Sequence, residues 1–242
     1  MKTLETLSLG LGVCLSVALG SNAIAQLRPE TQLGSKIPVA PTKADPVVAG
    51  LVRDGYVRCV YSGPYRGKID TLLLNSDPLT LDLDAAKFDL PKFLRSDDLR
   101  SCFTADATQS RVSISFSENN LRYIMLESAY LINMPKMLPN ADQLDRVERK
   151  FNAEPGSLEQ AKAIAEFSDC IVNEDPVGAD HLVRTDSNSD AEWKAASAMT
   201  PALSACLIAG QTMELKPANI RSFAADGLWQ RFVAPQLTRG RN

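Results

Sequence analysis

The chain has 242 residues, of which 45% are hydrophobic, and a formal net charge of −3 from 26 basic and 29 acidic residues. This length allows one large domain or two small domains with real cores. The near balance of charge argues against a nucleic-acid interface, which needs clustered lysine and arginine. The single histidine excludes a metal cluster built from histidines.

Residues 1–25 have the plan of a secretory signal peptide. Lys2 supplies a positive start, an apolar run from Leu7 to Leu19 follows, and Ala23 and Ala25 form a small-x-small cleavage site. The apolar run is too short to span a bilayer, and no later segment is apolar enough to do so. The sequence therefore predicts cleavage after Ala25 and a periplasmic or secreted protein, with a buried N-terminal helix as the alternative.

A first unit is predicted at residues 45–132, after a flexible, partly extended leader at 26–44. Asp45 offers a helix N-cap with Pro46 at the first helical position, and Gly63 followed by proline ends that helix. Further helices are predicted at 68–74, 84–89, 91–102 and 121–132, and a strand at 111–116, where RVSISF alternates apolar and polar residues.

A polar linker with three prolines is predicted at 133–156, with a short charged helix from Ala141 to Phe151 inside it. The second unit then covers 157–242. Asp175 followed by proline is predicted to start a helix, and Asp190 is predicted to cap a later helix. The remaining predicted elements are a helix from Ser157, a helix at 200–206, a strand at 211–215, a final helix from Pro217 and a solvated basic tail.

The two predicted units share a local pattern near their ends. Placing NNLRYIMLESAY over NIRSFAADGLW aligns Arg122 with Arg221, Glu127 with Asp226 and an aromatic residue with another. The order of predicted elements also agrees, with differences in length that fit loops. We therefore expect a mainly α fold with minor β, made of two similar helical units with one short strand each. Chance similarity of amphipathic helices is the alternative.

Four cysteines remain after the predicted cleavage, and an even number in an exported chain indicates disulfides. Four cysteines allow three connectivities, and the repeat selects the pairing that closes each unit on itself. The predicted pairs are Cys59 with Cys102 and Cys170 with Cys206. A redox or metal site would need closer spacing, such as C-x-x-C, which the chain lacks.

The residues aligned by the repeat also supply the candidate ligand site. Arg122 and Arg221 lie in the first turn of equivalent helices, so an approximate twofold arrangement could bring them to one shared groove. Two guanidinium groups would suit the carboxylate or phosphate of a small anionic ligand. The alternative is a structurally hydrogen-bonded arginine that occurs twice because the unit does.

Other patterns associated with chemistry are incomplete. His181 has no nucleophile motif around it, and the run from Asp186 to Asp190 lacks the glycine and glutamate of a calcium loop. We predict no catalytic residue, cofactor or metal. Acidic residues that could serve a hydrolase cluster in the first unit, at Asp82, Asp84, Asp89, Asp97 and Asp98.

Residues 165–230 contain FSDCIVNEDPVGADHLVRT, ALSACLIAGQTMEL and NIRSFAADGLW. These segments resemble a group of uncharacterised exported proteins of sphingomonad-type alphaproteobacteria, whereas the first unit is similar to that group only loosely. The resemblance implies export and this architecture, and no activity is assigned to the group. The matching positions are Cys170, Val172, Asp175, Pro176, Leu182, Cys206, Leu207, Gly210, Gln211, Thr212 and Leu215.

The leading functional hypothesis is a non-catalytic periplasmic or secreted interaction protein. Its partner would be an unknown envelope protein or a small anionic ligand. One alternative is a hydrolase that uses acidic residues in a groove between the units. Another is an envelope structural protein without a small ligand.

Overall fold

The computed structural model describes residues 26–27, 42–43, 45–102, 118–138, 148–207 and 215–239. The described chain is mostly helical, which confirms the mainly α prediction. Its regular strands are β1 (Gln26–Leu27) and β2 (Thr42–Lys43), which pair antiparallel within the predicted leader. The predicted strand at 111–116 lies outside the described residues, as does the one at 211–215 apart from Leu215.

The first half of the helical body begins with the predicted cap. Asp45 accepts the backbone N–H groups of Val47 and Val48, and Pro46 opens the helix. The helix ends before Gly63, as predicted. The helices of this half are α1 (Pro46–Ser62), α2 (Arg66–Leu74), α3 (Leu90–Leu94), α4 (Asp97–Ser101) and α5 (Glu118–Asn133).

Two helix predictions in the first half are wrong. Residues 84–87 lie in a turn and residues 88–89 have no regular secondary structure; Lys87 has a positive φ of 50° that a helix does not allow. The predicted helix at 91–102 is two short helices, because Ser96 accepts the backbone N–H of Leu99 and starts α4 anew. Polar residues that bond to nearby backbone compete with helix continuation, and they prevail at both places.

The second half follows the predicted boundaries more closely. Asp175 caps the helix that begins at Pro176, accepting the N–H of Gly178 at 2.8 Å. Ser189, rather than Asp190, is the N-cap of the next helix and accepts the N–H of Glu192. The helices are α6 (Leu158–Glu174), α7 (Pro176–Arg184), α8 (Asp190–Ala198), α9 (Thr200–Cys206), α10 (Pro217–Phe232) and α11 (Ala234–Arg239).

Two further predictions are corrected at the ends of the second half. Residues 148–151 of the predicted linker helix are not helical, and residues 141–147 lie outside the described residues. The chain after α10 does not leave as a solvated tail, since Ala234–Arg239 forms α11 against α10. None of the helices in the described ranges is both long enough and apolar enough to cross a bilayer.

The core is organised around α10. This helix packs against α6, α5 and α7, while α1 packs against α5. Gly227 allows the close approach of α10 to α6, because a Cβ at that position would collide with the backbone oxygen of Ser168. Large side chains fill the centre, and Tyr130 of α5 and Trp229 of α10 are completely buried.

Two disulfides close the two halves separately, as predicted. Cys59 of α1 bonds to Cys102, which follows α4, across a separation of 43 residues. Cys170 of α6 bonds to Cys206 at the end of α9 across 36 residues. In the chain-entropy account, each bridge restricts the unfolded chain by about 4 kcal/mol, a large fraction of a normal folding free energy.

Replacing Cys170 and Cys206 together by alanine should lower the free energy of unfolding by about 4 kcal/mol, because the unfolded chain regains the entropy of an open loop. Urea unfolding followed by circular dichroism measures the change. The matched control replaces Cys59 and Cys102, whose loop is similar in length and should give a similar loss. Unchanged stability in both variants would contradict the role assigned to the bridges.

Candidate functional site

The crossing of α5 and α10 carries two reciprocal ion pairs. Arg122 of α5 donates from Nη2 to Oδ1 of Asp226 on α10, at 2.6 Å. Arg221 of α10 forks onto Glu127 of α5, with Nε–Oε2 and Nη2–Oε1 distances of 2.9 and 2.8 Å. Each helix therefore supplies an arginine in its first half and a carboxylate later, and each arginine reaches the carboxylate of the other helix.

A hydroxyl group completes each arginine site in the same way. Arg122 donates from Nε to Oγ of Ser76, and Arg221 donates from Nη1 to Oγ1 of Thr185, at 3.0 and 3.1 Å. Ser76 and Thr185 both lie just after the second long helix of their half. Each hydroxyl in turn donates to the carbonyl oxygen three residues earlier, at 2.8 and 2.7 Å. Each arginine thus contacts a carboxylate of the other helix and a hydroxyl of its own half, although through different nitrogens.

The two arginine sites differ in how fully the guanidinium is bonded. Arg221 also donates to the carbonyl oxygens of Leu182 and Val183, and its Nη1 lies 3.5 Å from Glu192. Arg122 has one nitrogen, Nη1, with no hydrogen-bond partner in the described part of the chain. The site of Arg221 is therefore the more completely satisfied of the two.

Arg149, in the segment between the two halves, binds the carboxylate oxygen of Asp226 that Arg122 does not contact. Its Nη1 donates to Oδ2 of Asp226 at 2.7 Å, and its Nε and Nη2 fork onto Asp169 of α6 at 2.8 and 2.5 Å. Burial works to raise the pKa of Asp226, but the guanidinium groups of Arg122 and Arg149 outweigh it and hold that pKa below its ordinary value. Asp226 is thus a buried carboxylate, ionised between two cations.

The two arginines predicted as ligand contacts are both buried, with exposed fractions of 1% for Arg122 and 4% for Arg221. Their guanidinium groups point to carboxylates of the protein itself. This geometry matches the alternative interpretation, in which the arginines are structurally hydrogen-bonded. Anion binding by the pair stays a prediction.

The acidic residues of the first half do not converge. Asp82 accepts the N–H of Ala85, and Asp89 caps α3 through Lys92. Asp84, Asp97 and Asp98 are exposed. In the described ranges, no three histidine, cysteine or acidic side chains are placed to hold a metal ion.

The polar run from Asp186 to Asp190 is used in packing. Ser187 donates to Oδ2 of Asp54 on α1 at 2.6 Å, and Glu192 accepts the backbone N–H of Asn188 at 2.8 Å. Asn188 has a positive φ of 62°, a conformation that asparagine tolerates better than most residues. This loop therefore joins α7 to α8 and rests on α1.

A small cavity lies in the first half. Its volume is about 10 Å³, roughly the space of one water molecule, and its walls are almost entirely apolar. Such a cavity offers a water molecule too few polar partners. The lining side chains include Ile69, Leu72, Phe88, Phe93 and Met125.

Glu127 and Asp226 align in the sequence comparison of the two units, but they were not predicted to be the partners of the arginines. The repeated spacing of arginine and carboxylate was the available signal, since two such helices crossing about a twofold axis bring unlike charges together. Arg149 and Asp169 had no comparable signal. Arg149 lay in a segment predicted to be a linker, where a charged residue is normally solvated.

Comparison of the chain with protein-family models gives no match, and neither curated protein sequences nor solved structures show significant similarity to it. The geometry of the described residues is therefore the basis for any functional proposal.

Replacing Arg122 by alanine should lower the free energy of unfolding by about 3–5 kcal/mol, because Asp226 would keep only one partner in a fully buried site. Chemical denaturation measures the loss. Arg100→Ala is the control, since Arg100 pairs with Asp97 on the surface, with side chains 77% and 95% exposed, and such pairs contribute little. Equal losses in the two variants would contradict the assigned role.

The protein should lose stability as the pH rises above 10, because the folded protein keeps several tyrosines neutral whereas the unfolded chain lets them ionise. Burial raises the pKa of Tyr123 to about 12, and burial, with hydrogen bonds to Asp70 and Asp180, raises the pKa of Tyr61 and Tyr130 above their ordinary value of 10. Since the folded-state pKa is the higher one, the contribution is full below pH 10 and is lost as the pH rises through the folded values. Tyrosinate absorbance should appear later in the folded protein than in urea. Coincident titration curves would contradict this.

Proposed function

We propose that the protein is an exported, non-catalytic interaction protein built from two similar disulfide-closed units. The first unit spans 45–132 and the second 157–242, with the segment 133–156 between them. In this proposal the crossing of α5 and α10 lies on an approximate twofold axis. The proposal includes membership of the exported alphaproteobacterial group that residues 165–230 resemble.

The reciprocal bonding at the crossing supports the two-unit architecture. In a contact about a twofold axis, if residue i of one unit contacts residue j of the other, then residue j of the first unit contacts residue i of the second. Arg122 with Asp226 and Arg221 with Glu127 satisfy this condition. Within each half, the arginine also contacts a hydroxyl that follows α2 or α7. Two unrelated helical segments would have no reason to share all these contacts.

The observation that carries the functional proposal is the internal use of the candidate charged groups. The buried guanidinium and carboxylate groups described above are paired with one another within the protein. A large aromatic side chain is nevertheless presented outward, because Trp193 on α8 is 63% exposed whereas Trp229 is fully buried. Tryptophan is enriched among the residues that dominate protein interfaces. An envelope protein is the partner that an exported address favours.

Photo-crosslinking and pull-down from native periplasm should capture a specific partner with the wild-type protein and lose it with Trp193→Ala. The exposed side chain contributes little to the core, so thermal unfolding of this variant should be unchanged. Leu94→Ala is the matched control, because Leu94 is 56% exposed but lies in the first half.

Capture that survives Trp193→Ala but requires Leu94 would move the interface to the other half. Failure to capture any specific protein, with both variants correctly folded, would contradict the interaction function itself.

A further inference from the structure

Residues 148–153, which we term the strap, lie on the helical body in the manner of an extended peptide. They have no regular secondary structure, and their exposure alternates: Glu148, Lys150 and Asn152 are exposed, whereas Arg149 and Phe151 are partly buried. A period of two is that of an extended chain lying on a surface. The strap therefore offers two inward side chains, of which Arg149 enters furthest, with its side chain 5% exposed.

The groups that hold the strap come from both halves of the protein. Asp77, which follows α2, accepts the backbone N–H of Asn152 at 2.7 Å, and the backbone carbonyl oxygen of Asn75 accepts a hydrogen bond from the side-chain amide of Asn152 at 3.0 Å. Asp169 and Asp226 of the second half hold Arg149, as described above. We term the site formed by Asp77, Asp169 and Asp226 the strap groove. It contacts both a main-chain group and an arginine anchor, the combination by which grooves bind extended peptides.

The strap groove is selective for a guanidinium group. Asp169 takes two parallel N–H groups of Arg149 while Asp226 takes a third from the other side. A planar fork supplies these donors in fixed directions, whereas a lysine ammonium is a point charge that cannot match them.

We propose that the strap groove is a docking site for an extended, arginine-bearing segment of a partner protein, and that the strap occupies it until such a segment displaces it. The inference rests on the proposed interaction function and specifies the chemistry of the partner. Displacement exchanges one arginine for another, so the buried carboxylates are paired both before and after it. Because the strap belongs to the same chain as the groove, it competes at a high effective concentration. Only a segment that fits the groove better than the strap does would displace it.

The test uses the full chain and a fluorescein-labelled peptide, RVERKFNAEP, which copies residues 146–155. Arg149→Ala removes the anchor of the strap, so this variant should bind the peptide about tenfold or more tightly than the wild-type protein does. A peptide with lysine at the position of Arg149 should bind about tenfold more weakly. Asp169→Asn, added to the variant, should abolish the preference for arginine, whereas Asp98→Asn on the exposed surface should not.

Arg149→Lys keeps a positive charge in the groove and makes the same comparison possible if the alanine variant does not fold. The wild-type protein provides an independent measurement: excess peptide should accelerate hydrogen exchange at the amide of Asn152, because the strap leaves Asp77. Folded variants that bind the arginine and lysine peptides equally would overturn the proposal. Unchanged exchange at Asn152 in peptide excess would overturn it as well.

The outcomes separate this proposal from the interaction function on which it rests. Capture of a periplasmic partner that is insensitive to Asp169→Asn would leave the interaction function standing and remove the strap groove as its site. Arginine-specific peptide binding without any captured partner would support the strap groove as a peptide-binding site and count against the interaction function.

Discussion

The carboxylate of Asp226 lies completely buried between the guanidinium groups of Arg122 and Arg149, and the arrangement of the whole molecule depends on it. A carboxylate in the core is costly unless opposite charges and hydrogen bonds surround it. Arg122 comes from the first half and Arg149 from the segment between the halves, whereas Asp226 belongs to the second half. This one residue therefore links three parts of the chain in a single geometry.

The pair of Arg221 and Glu127 makes the same kind of contact in the opposite direction across the α5–α10 crossing. Apolar packing alone would allow the two helices to slide or rotate, because hydrophobic contacts have little directionality. Forked ion pairs fix the register, since a shift by one residue would leave buried charges unpaired. In this protein the charges specify the crossing while the surrounding apolar side chains supply most of the favourable free energy.

Local chemistry made much of the fold predictable. The caps at Asp45 and Asp175 were identified from an acidic residue followed by proline, and the structure places both helix starts there. The predictions at 84–89 and 91–102 were wrong because helical periodicity over so few residues does not outweigh a competing turn or a new cap at Ser96. The disulfide pairing was predicted because only the repeat-wise connectivity closes each half on itself.

By itself the sequence determined which residues form the main helices, how the cysteines pair, and that arginine and carboxylate recur at one spacing in two helices. These features depend on neighbours along the chain or on a comparison of the chain with itself. Only the tertiary structure decided that Arg122 and Arg221 exchange partners across the crossing and that Arg149 leaves its exposed neighbours to enter the core. Such contacts join residues far apart in sequence. Whether a charged residue is buried is not encoded in any local pattern, and burial is what makes the loss of one partner of an ion pair costly.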